Sequence, residues 1–175
     1  MVSRFALGMA AGLLALAAAP AFAQQTSTNQ VAAKTDWSVF EDKSPRECWA
    51  VSAPKETVNT KGGRVVAVKR GDILLMAFYR PEAKVMGQIA FTGGYPFASG
   101  QMVNLNVDGN SFDLVPEGEW AWPASPDDDA KILSAMKRGS QAVLTAQSSR
   151  GTTTKDTFSL SGFTAAVEDA EKRCQ

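Results

Sequence analysis

Few side chains of this 175-residue chain have types and spacing that bear on chemistry. They are two cysteines, Cys48 and Cys174; three consecutive aspartates, Asp127, Asp128 and Asp129; the turn Asp108-Gly109-Asn110; and two aromatic groups, Trp120 with Trp122 and Tyr95 with Phe97. There is no histidine. Ser-His-Asp and Cys-His nucleophiles, histidine-based zinc sites and imidazole acid–base work are therefore excluded. The three aspartates open a predicted helix, where consecutive residues point in different directions and do not converge on a cation. Their negative charge suits the positive end of the helix dipole instead. Asp108-Gly109-Asn110 lacks the alternating acids and later glutamate of a calcium loop and reads as a hairpin turn. Gly62-Gly63 and Gly93-Gly94 lack the strand-to-helix setting and the lysine of a phosphate-binding loop, so they too are turns. No catalytic residue, metal ligand or cofactor is assigned, and the chain is read as a non-enzyme.

The aromatics are the remaining candidates. Trp120 and Trp122 alternate on an extended segment, so both indoles leave one face of it. With Tyr95 and Phe97 in a glycine turn, they are candidates to line a surface for a partner side chain or a sugar ring. The competing reading places them in the core, since a domain of this size needs large apolar groups inside it. The segment holding the two tryptophans is the best specified of the chain. Pro123 ends the strand, Ser125 caps a helix with Pro126 at its first position, and Ile132, Leu133 and Met136 form an apolar stripe. Lys137 and Arg138 stand at its negative end, and Gly139 terminates it.

The first residues are a secretory signal peptide: Arg4 is a short basic region, Leu7 to Ala19 an apolar run, and Ala21-Phe22-Ala23 a small-x-small cleavage site. Pro20 closes the apolar run short of the ~20 residues that cross a bilayer, and no second long apolar segment follows. Cleavage after Ala23 leaves 152 of the 175 residues, suited to one domain. It removes one arginine and no acid from a balance of 18 and 18, so the mature chain carries a net charge near −1. That argues against a nucleic-acid or anionic-membrane binder, which needs a basic surplus. In an oxidising compartment Cys48 and Cys174 most simply form one bridge; two buried free thiols are the alternative.

Residues 24–35 are polar and small and read as a flexible spacer, so the domain spans 36–175. Strands are expected at Asp36 to Glu41, Cys48 to Ala53, Arg64 to Arg70, Ile73 to Tyr79 and Val85 to Thr92, with Pro54 to Gly63 as a loop. More follow at Met102 to Val107 and Ser111 to Val115 across the Asp108-Gly109-Asn110 turn, then at the two tryptophans, Gln141 to Gln147 and Thr154 to Leu160. Phe163 to Arg173 is a C-terminal helix. The expected fold is mainly β: a β-sandwich or open barrel of about nine short antiparallel strands, with one helix inserted late and one at the C-terminus.

Several of these segments, taken together, resemble the invasion-associated locus B family of exported Gram-negative envelope proteins. They are Asp36-Trp37, Glu47-Cys48-Trp49-Ala50-Val51-Ser52, Gly93-Gly94-Tyr95-Pro96-Phe97, Gly118-Glu119-Trp120-Ala121-Trp122-Pro123, Asp156-Thr157-Phe158-Ser159-Leu160 with Gly162-Phe163, and the closing Cys174. The resemblance spans nearly the whole mature chain and lies in the order and spacing of the segments. It implies an exported envelope protein, of a family named for a role in host-cell entry in one pathogen. It implies no catalytic activity. The first reading of the chain is a non-enzymatic periplasmic or secreted protein that acts by binding a protein or envelope partner. A second reading, from another class, is a small carbohydrate-binding or carbohydrate-active module acting on wall or host glycans.

Overall fold

Alternating apolar positions along most of the chain make strands, and the described residues of the computed structural model form twelve of them with two α-helices. It describes residues 29–175; the expected signal segment, Met1–Ala23, and residues 24–28 of the expected spacer lie outside the described residues. In chain order the elements are β1 (Gln30–Lys34), β2 (Trp37–Lys43), β3 (Arg46–Ser52), β4 (Glu56–Lys61), β5 (Arg64–Val65), β6 (Leu74–Arg80), β7 (Val85–Thr92), β8 (Val103–Val107), β9 (Asn110–Glu117) and β10 (Trp120–Trp122). Helix α1 (Pro126–Arg138), β11 (Gln141–Gln147), β12 (Thr153–Ser159) and helix α2 (Phe163–Arg173) complete the chain.

All strands join one antiparallel sheet in the order β1-β2-β3-β6-β7-β10-β9-β8-β11-β12-β4-β5. β9 is the bend. Its first residues, Asn110 to Leu114, pair with β8, and Val115 to Glu117 pair with β10, so one strand serves both halves of the sheet. The halves share a single core, to which Trp37, Leu75 and Phe91 come from one side and Leu105, Leu144 and Phe158 from the other. The start of β2 and the end of β12, which belong to opposite halves of the sheet, approach through Asp36 N–H to the Ser161 carbonyl (3.2 Å) and the Trp37 indole N–H to the Ser159 carbonyl (3.0 Å). No ladder forms there, and the sheet stays open rather than closing into a barrel.

Both helices pack on the core side. Phe163, Ala166, Val167 and Ala170 of α2 are buried against β2 and β3, where the Phe163 ring meets Trp37 edge-on at 4.7 Å. Ile132 and Met136 of α1 are buried as the stripe predicts, and Ser125 caps that helix through its hydroxyl, which accepts the Asp128 N–H (3.2 Å). Cys48 and Cys174 are bonded, tying the end of α2 to β3.

The chain departs from expectation at both ends of the sheet. Five residues of the stretch expected as spacer form β1, held by β2. Pro54 to Gly63, expected as a loop, contains β4, and of Arg64 to Arg70 only Arg64–Val65 is strand. β4 pairs with β12 but is too exposed to carry an apolar alternation, so its Thr and Val residues are the only cue to a strand. The segment after β5 is held by other means. Gly71 N–H donates to the Gly94 carbonyl (2.9 Å), and Gly94, at φ 71°, leaves no room for a Cβ against the Gly71 backbone.

Candidate partner-binding face

The half-sheet β2-β3-β6-β7-β10 has two faces with different fates. Its inner face, with Val39, Ala50, Leu75, Ala77 and Phe91, is fully buried under the helices and the other half-sheet. Period-two alternation sends the intervening residues to the outer face. There Met76, Phe78 and Ala90 form a separate apolar cluster, packed by the partly exposed Trp49, Val51, Leu74, Trp120 and Trp122. The helices lie on the opposite side, so no element of the described chain covers this face.

Strand register aligns the aromatics into a row. Phe40 stands opposite Trp49 in the β2–β3 ladder, and Trp49 opposite Phe78 in the β3–β6 ladder. The rings follow: Phe40 stacks on Trp49 at 5.4 Å, Trp49 lies 6.3 Å from Phe78, Phe78 6.4 Å from Trp122, and Trp122 stacks on Trp120 at 5.7 Å. Five rings thus cross the sheet in unbroken contact. Ala121, between the two tryptophans, points the other way and is fully buried.

Polar groups flank the row. The Arg80 guanidinium lies 4.4 Å over the Phe78 ring, donates to Glu47 (2.8 Å) and reaches Gln88 (3.1 Å). Beside Trp122, an open groove of about 570 Å³ is lined by Arg80, Gln88, Val115 and Glu117. An arginine fixed by a carboxylate and an aromatic ring keeps its orientation without a ligand, which lowers the ordering cost of binding.

The four candidate aromatics do not share one surface. Trp120 and Trp122 lie side by side on the outer face, as their spacing predicts. Phe97 is 7 % exposed and packs in the main core against Phe91, because the isolated bridge from Phe97 to Ser148 turns the glycine-rich segment inward. Tyr95 is half-buried elsewhere, under the Arg70 guanidinium and hydrogen-bonded to Thr154. Phe40, Trp49 and Phe78 escape a reading of sequence because only strand pairing brings them together. The three aspartates diverge: Asp127 is exposed, Asp128 pairs with Ser125 and Lys131, and Asp129 is buried with Oδ1 accepting the Ile89 N–H (2.8 Å). Asp108 uses its carboxylate to accept the N–H groups of Ser140 (2.6 Å) and Gln141 (3.2 Å), tying the hairpin turn to the end of α1.

The family model of the invasion associated locus B protein matches residues 37–171. The chain belongs to the invasion associated locus B family. The resemblance carried by the tryptophan, cysteine and glycine segments is thereby established. The crystal structure of invasion associated protein b from Bartonella henselae has a similar fold, with a TM-score of 0.51 at 16% identity, covering 79% of this chain and 94% of that one. No curated protein matches the chain. Membership in the invasion associated locus B family makes this an invasion-associated envelope protein, and the buried disulfide accords with an oxidising compartment. Among the described residues no helix is long and apolar enough to cross a membrane.

Proposed function

We propose that this is a non-enzymatic protein of the Gram-negative envelope, exported by cleavage after Ala23, that binds a protein partner across the aromatic outer face of its first half-sheet. The observation that carries the reading is the row Phe40, Trp49, Phe78, Trp122 and Trp120: aromatic area assembled by register on a face that neither helix covers. Aromatics of this kind supply large contact area at low entropic cost and dominate binding energy at protein interfaces. A partner in the periplasm or on a host cell fits the family. A second reading, a carbohydrate-binding module, is favoured by the groove in which Trp122 stands beside the planar polar groups of Arg80, Gln88 and Glu117.

A photo-crosslinking amino acid at position 49 or 120, compared with one at exposed Lys155 in the other half-sheet, tests the first reading in intact cells. The expected result is one discrete adduct from both outer-face positions and none from position 155. Equal adducts from all three positions contradict it. Saturable binding of neutral oligosaccharides, lost in Trp122→Ala, reverses the ranking of the two readings.

A further inference from the structure

A second site lies apart from the aromatic face. A cavity of about 300 Å³ is bounded by residues 68–70, by Gly94, Tyr95 and Pro96, and by the turn between β11 and β12; none of the five row aromatics lines it. At its base is Arg70, whose side chain is only 6 % exposed. Its Nε donates to the Gly93 carbonyl (2.8 Å), Nη1 to Asn59 (3.2 Å) and Asp156 (2.7 Å), and Nη2 to Asp156 (2.6 Å), while Tyr95 supports the guanidinium at 5.0 Å. A guanidinium has five N–H donors, and four are used. The fifth, on Nη2, has no acceptor among the described residues.

The remaining lining is also rich in donors. Lys69 and Arg150 are exposed and form no ion pair or hydrogen bond with any described residue. Ser148 Oγ accepts the Thr152 N–H (3.1 Å), and among the described residues the Ser148 O–H and the Ser149 and Thr152 hydroxyls have no acceptor or donor partner of their own. Against these donors stands one lining carboxylate, Glu119, since Asp156 is committed to Arg70. Two unpaired cations, a fixed guanidinium N–H and three hydroxyls match an oxyanion, and charge-assisted hydrogen bonds are the strong ones.

We infer that this cavity binds a small hydroxylated ligand of about monosaccharide size through a phosphate-ester or carboxylate group. The oxyanion is held between Lys69, Arg150 and Arg70, and the serine and threonine hydroxyls take the ligand's own hydroxyls. Neither the family nor the aromatic face enters this inference.

The test is an amide-resolved NMR titration of the mature protein with inorganic phosphate, glucose 6-phosphate and glucuronate, with glucose as the neutral control. Lys69→Ala/Arg150→Ala alters two exposed side chains and keeps the Arg70–Asp156 pair; an unchanged melting temperature confirms that it folds. The expected result is saturable shifts confined to residues 69–70 and 148–152, with an anionic sugar binding more tightly than glucose. Affinity falls about tenfold or more in the double variant, as loss of two charge-assisted contacts requires. Preference for glucose 6-phosphate over glucuronate identifies a phosphate ester, and the reverse a carboxylate. Shifts that do not saturate, that spread over other lysines and arginines, that are equal for glucose, or that persist in the double variant overturn the inference.

Discussion

Asp129 shows how one residue in a run of three acquires a separate role. It is 9 % exposed and accepts the backbone N–H of Ile89, past the point where the three-residue β10 stops pairing with β7. Burial pushes its carboxyl up to about 6, outweighing the Ile89 N–H that favours the carboxylate, and neighbouring Asp128 adds to the rise. A carboxyl whose pKa is raised on folding contributes stability that is present below its unfolded value near 4 and lost as pH rises through about 6. Unfolding free energy of the native sequence should therefore fall by on the order of 2 kcal/mol between pH 4 and 7 relative to Asp129→Asn, which keeps the acceptor and cannot ionise. Urea melts across that range check this; parallel curves for the two proteins contradict it. The sequence does carry a cue, since Asp129 precedes Ile132, Leu133 and Met136 by three, four and seven residues and so lies on the apolar stripe.

At the scale of elements, legibility follows the range of the interactions. The segment from Trp120 to Gly139 is specified by neighbours: alternation sends both indoles one way, Pro123 stops the strand, and the Ser125 hydroxyl caps α1. Ser125→Ala should cost about 1 kcal/mol by loss of the cap, read as a shift in the denaturant midpoint with an unchanged slope. No shift means that the helix start does not depend on this hydroxyl. β1 and β4 lie toward the sheet edges, where a strand is set by its partner's hydrogen bonds rather than by its own apolar pattern, and they are missing from a reading of sequence for that reason; β5, at the far edge, keeps only the first two residues of the strand expected over Arg64 to Arg70. The aromatic row is hidden by distance: Phe40, Trp49, Phe78 and Trp122 occupy four strands, and only the ladders of β3 with β2 and β6 put the first three in line. Phe97 errs the other way, because its motif looks like a surface turn while its ring is needed in the core.

Across the whole molecule, an open sheet is held in its folded-over form by contacts far apart in sequence. The disulfide joins positions 126 residues apart, the Trp37 indole reaches the Ser159 carbonyl, and the buried Arg70–Asp156 pair fastens the irregular segment after β5 to β12. Cys48→Ser should lower unfolding free energy by ~2 to 4 kcal/mol, less than the chain-entropy limit for so long a loop. A loss near zero in the oxidised protein means that packing of α2 alone holds the C-terminus. The same architecture buries the inner face of the first half-sheet and leaves its outer, aromatic-rich face without a covering element, and the proposed function rests on that asymmetry. The deciding measurement is the melting temperature and envelope-fraction affinity of Trp120→Ala/Trp122→Ala, set against Trp37→Ala. For Trp37, 1 % exposed, truncation should cost ~3 to 5 kcal/mol. The double variant of the outer face should lose well under that per residue, keep its fold and lose its partner. A double variant that unfolds like Trp37→Ala, or that folds and still binds with native affinity, contradicts the account.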